Sequence, residues 1–267
     1  MNCGTLVEMH LTRRTLLTMG AAAVTLRGAG NTRVRAGALV ATDTFDALLA
    51  ALKEIQALGY TGYSTTMRVL QTRSDRIDEM RGQLSETGLD LIGVRATLPK
   101  YAEFGADRAL EDLARLAMAA RQFGARTLML HSVGLAPDGK FKPEEIDTKA
   151  KFLDLCARRC KETGVIFTYR TQEAEFQNGA AELTGLMERT DKNITYFDLD
   201  LARGLGAIEC FRDHPNRTFA MEAGFGEPGF KPQELAAAIK HTKWISWLID
   251  AAPGAESRAV MKKAFGA

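Results

Sequence analysis

The sequence contains no hydrophobic run that approaches the roughly 18 consecutive apolar residues of a transmembrane helix, so no membrane span is predicted. It has no Walker-type sequence and no G-x-G-x-x-G after its first predicted strand, which argues against a two-domain nucleotide-dependent enzyme. Its serines lack the G-x-S-x-G setting of a serine hydrolase. These absences leave a globular protein of another class.

Cysteine and histidine are scarce, with four residues of each among 267. Cys156 and Cys160 lie four apart on a predicted helix, where their Cβ vectors run side by side, so we expect free thiols. No pair of cysteines has the spacing of a zinc site. Two histidines, His214 and His241, lie at predicted helix ends, where capping or solvation is the usual role. A histidine-rich metal site is therefore excluded.

Positive charge is concentrated at the amino terminus. Residues 1–35 hold five arginines against one glutamate, a net +4, whereas the whole chain has +2 and residues 36–267 about −2. The body thus lacks the basic footprint of a nucleic-acid-binding protein. Arg13 and Arg14 precede a short run rich in alanine and glycine, the layout of a twin-arginine export signal. We predict a leader over residues 1–35 and a periplasmic or exported protein; the alternative is a disordered basic terminus on a cytoplasmic protein.

Beyond residue 35, short apolar runs alternate about seven times with longer amphipathic ones, and glycine stands at nearly every helix end. Parallel strands need helical crossovers, so this alternation predicts a parallel sheet. Eight units in about 230 residues fit a single (β/α)₈ TIM barrel over residues 36–267, with a doubly wound open sheet as the alternative. The predicted strands are 34–40, 60–65, 89–94, 126–130, 165–169, 194–199, 218–221 and 244–249.

The segment Tyr169-Arg170-Thr171-Gln172-Glu173-Ala174-Glu175-Phe176 resembles the Tyr-His-Asn-His-x-x-Glu-Phe signature of the sugar phosphate isomerase/epimerase family. Segments 52–62, 197–200 and 226–230 resemble further family segments in the same order. The resemblance implies a xylose isomerase-like TIM barrel whose ligand is a sugar or polyol. It also implies a divalent metal (Mn²⁺, Mg²⁺ or Zn²⁺) held at the carboxyl-terminal mouth by side chains from strands five to eight.

By the same resemblance, three of the four metal-ligand positions are replaced. The strand-five position is Arg170, which cannot ligate a cation because it keeps its proton. Strand six keeps Asp200, strand seven has Glu222, and strand eight has Leu248 with Asp250 nearby. Asp200, Glu222 and Asp250 remain only weak metal candidates, and no cofactor is firmly predicted. We hypothesise that Arg170 occupies the metal position and pairs with Asp200 and Glu222; the alternative is an outward, solvated charge.

Four acid/base candidates follow: His131, Glu175, Asp200 and Glu222. His131 ends predicted strand four, where it could shuttle a proton, although a rim histidine without catalytic duty is an equal alternative. Glu175 matches the family's own glutamate, but a loop carboxylate is more often solvated, which is the alternative.

The candidates for substrate binding are Arg170, Gln172 and Trp247, and core packing is the alternative for Trp247. The function predicted from the resemblance is a sugar isomerase/epimerase-like barrel that acts by acid/base chemistry. The alternative is a catalytically inactive carbohydrate- or partner-binding barrel. The oligomeric state is not predicted.

Overall fold

The computed structural model describes residues 34–72, 74–97, 106–131, 135, 140–201, 207–240 and 246–267. The predicted leader lies outside the described residues except for Val34 and Arg35. Arg35 already belongs to the first strand, so the barrel begins one residue before the predicted boundary at 36.

Eight parallel strands form one closed barrel in chain order, and the first strand pairs with the last. The prediction of a single (β/α)₈ barrel is confirmed, and the open doubly wound sheet is wrong. The strands are β1 (Arg35–Leu39), β2 (Gly62–Thr66), β3 (Asp90–Thr97), β4 (Thr127–His131), β5 (Ile166–Arg170), β6 (Tyr196–Asp200), β7 (Thr218–Ala223) and β8 (Trp247–Asp250).

Helices alternate with the strands throughout the described part of the chain. They are α1 (Phe45–Ala57), α2 (Met67–Gln71), α3 (Ile77–Glu86), α4 (Ala106–Gln122), α5 (Pro143–Glu162), α6 (Gln177–Arg189), α7 (Ala207–Asp213), α8 (Pro232–Lys240) and α9 (Ala255–Phe265). A 3₁₀ turn, Ser74–Arg76, directly precedes α3. The short α2 was not predicted, because five residues are too few to show helical periodicity. None of the helices described is long and apolar enough to span a membrane.

Local sequence signals determine where α5 begins and ends, and α5 leads into β5, the strand that contains Arg170. Pro143 opens α5, where its missing N–H has no intrahelical partner to lose. Gly164 ends the same helix with φ +80°, a left-handed conformation that glycine adopts without steric cost. The chain then turns directly into β5, which is buried along its length except at its ends.

The lower interior of the barrel is apolar and is filled from β8. Trp247 is the first residue of that strand and is fully buried. The Arg35 guanidinium lies 3.8 Å from the centre of its ring and closes the base together with Asp90, to which it pairs at 2.7 Å. Trp247 therefore packs at the amino-terminal end of the barrel. This position disfavours its predicted role in substrate binding, because ligands of such barrels enter at the opposite end, and the role stays a prediction.

Candidate functional site at the barrel mouth

Five polar side chains converge at the carboxyl ends of five consecutive strands. Side chains alternate between the two faces of a strand, so residues two apart point to the same side. We call the following set the mouth cluster: Arg95 of β3, His131 of β4, Arg170 of β5, Asp200 of β6 and Glu222 of β7.

The Arg170 guanidinium lies between two carboxylates. Its Nη2 donates to Asp200 Oδ2 at 2.9 Å and to Glu222 Oε1 at 3.2 Å, and its Nε donates to Glu222 Oε2 at 3.1 Å. The exposed fractions of the three side chains are 16%, 5% and 3%. Arg170 therefore points inward, as hypothesised from the sequence, and does not lie on the surface as a solvated charge.

Arg95 supplies a second guanidinium to the Glu222 carboxylate, and sequence reasoning missed it. Its Nη1 and Nη2 donate to Glu222 Oε1 and Oε2 at 3.2 and 2.6 Å, a bidentate pair. Burial raises the pKa of Glu222, but the two arginines outweigh burial and the pKa is lowered overall. The available signal was an arginine directly after the apolar run Leu91–Val94, at the mouth end of a predicted strand.

Asp198 lies on the same face of β6 as Asp200, two residues deeper in the barrel. It is fully buried, and neither carboxylate oxygen accepts a hydrogen bond from the described residues. Burial, followed by the charge of Glu222, raises its pKa to about 7, although Arg95 and Arg170 act in the opposite direction. A carboxyl group in this position keeps its proton more readily than an exposed aspartate. In the sequence, Asp198 stands out only as a member of segment 197–200, which resembles a family segment.

His131 is the mouth residue suited to move a proton near neutral pH. Its Nε2 lies 3.2 Å from the Thr97 hydroxyl at the end of the neighbouring strand. Burial, and then the charges of Arg170 and Arg95, lower its pKa from the ordinary 6.5. The imidazole is consequently neutral at pH 7 and can accept a proton.

A sequence model of the xylose isomerase-like TIM barrel family matches residues 52–199, more than half of the chain. The chain belongs to this family. No curated protein sequence matches it.

Solved structures with the same barrel include a sugar phosphate isomerase/epimerase from Parabacteroides distasonis, with 14% identity and a TM-score of 0.66 over 92% of this chain and 96% of the other. D-Psicose 3-epimerase from Clostridium cellulolyticum H10, solved with D-tagatose, has 13% identity and a TM-score of 0.63 over 87% and 91%. A xylose isomerase-like protein from Mycobacterium smegmatis in complex with magnesium has 12% identity and a TM-score of 0.62 over 83% and 88%. At these identities the likeness establishes the fold, and the sequence resemblance to sugar phosphate isomerase/epimerases is confirmed at that level.

Two residues expected at the mouth of this xylose isomerase-like barrel lie outside its wall. Glu175 is fully buried and accepts bonds from Lys149 Nζ at 2.8 Å, from the Tyr169 hydroxyl and from Gln172 N at 2.5 Å. Asp250 is also fully buried; it accepts a bond from the Tyr60 hydroxyl and, at 3.1 Å, from Ala252 N. Neither carboxylate faces the barrel interior, which disfavours the predicted catalytic role of Glu175 and the metal candidacy of Asp250; both stay predictions.

Gln172 follows β5 by two residues and is half-buried. Its side-chain Nε2 donates to the Thr171 carbonyl at 3.2 Å. Its predicted contact with substrate stays a prediction.

The donor set does not fit the divalent metal that the family resemblance implies. In β8 the partner of Glu222 is Ile249, so the strand-eight position offers no ligand. The carboxylates of Asp200 and Glu222 are engaged by guanidiniums, which repel a cation and cannot coordinate it. Among the described residues, no three or more His, Cys, Asp or Glu side chains are grouped to hold a metal ion.

Proposed function

We propose that this barrel binds a sugar or polyol-type ligand at its mouth by direct hydrogen bonds, without a divalent metal. The observation that carries the proposal is the Arg170 guanidinium bridging Asp200 and Glu222. It places a fixed positive charge beside both carboxylates, and fixed charge and hydrogen-bonding groups in a concave site are what orient a small polar ligand. The sugar class is supported by structural neighbours named as a sugar phosphate isomerase/epimerase and a D-psicose epimerase solved with D-tagatose.

The mouth offers both donors and acceptors to vicinal hydroxyl groups. Within the described residues, Nη1 of Arg170 makes no hydrogen bond, since the guanidinium donates to Asp200 and Glu222 through Nε and Nη2. The neutral His131 ring adds Nδ1, because Nε2 already faces Thr97.

A second candidate function is isomerisation or epimerisation of the bound sugar by acid/base chemistry. It is favoured by the imidazole of His131, whose pKa is lowered by burial and then by the charges of Arg170 and Arg95. In such a reaction His131 takes a proton from the carbon next to a carbonyl, and Arg170 stabilises the negative charge that develops on the oxygen. A silent binding barrel would have the same ligand contacts and no proton transfer.

Isothermal titration of the purified protein with neutral aldoses, ketoses and polyols, in buffer containing a chelator, tests the binding proposal. We expect saturable binding that the chelator leaves unchanged. We expect His131→Gln to weaken it by about tenfold, since a single well-placed hydrogen bond is worth about 1.4 kcal/mol or less. Arg159→Met, at an exposed pair on α5, serves as the control. Binding that requires added metal, or no binding by any member of the panel, would contradict the proposal.

Proton exchange separates the enzyme from the silent barrel. Incubation of a bound sugar in D₂O, followed by proton NMR, detects loss of the hydrogen next to the carbonyl. The enzyme hypothesis expects exchange that is lost in His131→Gln. Binding without exchange assigns the silent alternative.

We also propose that residues 1–35 direct export through the twin-arginine route. The support is the Arg13-Arg14 pair before a weakly apolar run. Fusion of residues 1–35 to a reporter that is active only after export, compared with a double Arg→Lys variant at positions 13 and 14, tests it. Equal export of both fusions refutes it.

A further inference from the structure

A second polar cluster is buried outside the barrel wall, between β5, α5 and α6. Lys149 Nζ donates to Glu175 Oε1 at 2.8 Å and to Glu182 Oε1 at 2.6 Å, and it lies 4.9 Å from the centre of the Tyr169 ring. The exposed fractions of Lys149, Glu175 and Glu182 are 2%, 0% and 1%. Burial lowers the pKa of Lys149, but the surrounding acids Tyr169, Glu175 and Glu182 outweigh burial, so the ammonium keeps its charge. Buried ions arranged in this way are held in one geometry by their partners.

Each of the two carboxylates also holds a backbone N–H beyond a mouth strand. Glu182 accepts a bond from Leu135 N on both oxygens, at 3.1 and 3.0 Å. Glu175 accepts one from Gln172 N at 2.5 Å. Leu135 lies four residues after His131, and Gln172 lies two residues after Arg170. One ammonium therefore links the chain that leaves β4 to the chain that leaves β5.

We propose that the cluster of Lys149, Glu175 and Glu182 positions the mouth: its carboxylates hold the N–H groups of Leu135 and Gln172, and thereby the placement of His131 and Arg170. The proposal rests on the proposed function only in taking the mouth as the binding site. Nothing in the cluster touches a ligand, because all three ionic side chains are sealed from solvent. Its effect on function passes through the backbone N–H groups that its carboxylates hold.

The cluster has a property that a purely stabilising ion pair lacks. A stabilising pair requires only that opposite charges meet, whereas here both oxygens of Glu182 are aimed at one N–H beyond the described end of β4. Removing Glu182 leaves Lys149 paired with Glu175, so the charge balance of the remaining pair is intact. Any displacement of the mouth residues in a Glu182 variant can then be distinguished from the destabilisation that an unpaired buried charge would cause.

The test compares Glu182→Leu, Glu182→Gln and the control Glu188→Leu, which changes an exposed residue on the same helix. Amide exchange at Leu135 and the titration of the His131 ring are followed by NMR without any ligand. We expect Leu135 to exchange about tenfold faster in Glu182→Leu and about threefold faster in Glu182→Gln, which retains an acceptor, with no change in Glu188→Leu. His131 should titrate closer to its ordinary value in Glu182→Leu, because a displaced ring is less buried and lies farther from Arg170 and Arg95, which together lower its pKa.

Unchanged Leu135 exchange in Glu182→Leu overturns the proposal. Faster exchange at Leu135 with an unchanged His131 titration overturns it as well, because the cluster then stabilises the fold without positioning the mouth. Should Glu182→Leu not fold, as judged by circular dichroism, the same two readouts in Glu182→Gln decide. Because no ligand is used, failure of the sugar titrations refutes the proposed function and leaves this result standing.

Discussion

Replacement of Arg170 by methionine tests the electrostatic role of its guanidinium. The change removes three hydrogen bonds to two carboxylates that are almost fully buried. Loss of one partner of a buried ion pair typically costs about 3–5 kcal/mol, because the other charge stays buried and uncompensated. Arg95 still holds Glu222 by two bonds, so Asp200 loses most. We therefore expect the lower end, a loss of about 3 kcal/mol in the free energy of unfolding.

Urea unfolding at pH 7.5, followed by circular dichroism, measures this loss, and Arg159→Met is the matched control. Arg159 pairs with Glu162 at 2.8 Å, but its side chain is 48% exposed, so its removal should cost less than about 0.5 kcal/mol. The double variant Arg170→Met/Asp200→Asn should recover about 1 kcal/mol, since the buried carboxylate that lost its guanidinium is replaced by a neutral amide. The deficit of Arg170→Met should also shrink at pH 4, where carboxylates that have lost this guanidinium accept protons. A loss no larger than that of Arg159→Met would refute the reasoning.

Three further predictions concern titration and packing. The lowered pKa of His131 means that its contribution to stability is present above about pH 6.5 and is lost as the pH falls through the folded-state value; His131→Gln should remove this acid-side loss in melting curves. The raised pKa of Asp198 has the opposite sign: its contribution to stability is fully present below about pH 4 and is lost as the pH rises through about 7, so Asp198→Asn should gain more in melting temperature over wild type at pH 8 than at pH 5. A Cβ at Gly62 would lie 2.7 Å from the Trp247 ring, so Gly62→Ala should lower the free energy of unfolding in urea by about 2 kcal/mol. The control Gly82→Ala, with open space on an exposed face of α3, should leave the free energy of unfolding unchanged or raise it. The three predictions would be contradicted, respectively, by an acid-side loss that persists in His131→Gln, by an equal melting difference for Asp198→Asn at both pH values, and by equal unfolding free energies for Gly62→Ala and Gly82→Ala.

The barrel was predictable from sequence because its signals are local. Alternation of strands and helices, with glycine at helix ends, requires only neighbouring residues to be compared. Arg170 was placed correctly for a related reason, since the family segment fixes it at the end of a strand and strand alternation does the rest.

The structure differs from the sequence-based expectation where the position of a side chain depends on distant elements or on an uncertain strand boundary. Arg95 and Glu222 are 127 residues apart and meet only because the barrel closes. Glu175 lies five residues beyond Arg170, but a 3₁₀ turn, Glu173–Phe176, carries it outside the wall to Lys149. Trp247 was placed within a strand predicted from residue 244, whereas β8 begins at Trp247, which moves the ring to the base of the barrel.

The measurement that most directly tests the central claim, a mouth neutralised by guanidinium groups in place of a dication, is the metal content of the purified full-length protein. The protein is purified without chelator, incubated with Mn²⁺, Mg²⁺ or Zn²⁺ and dialysed. Elemental analysis should then find far less than one ion per chain. The melting temperature should be the same with and without chelator. One tightly held ion per chain, lost together with thermal stability in Asp200→Ala, would contradict the account.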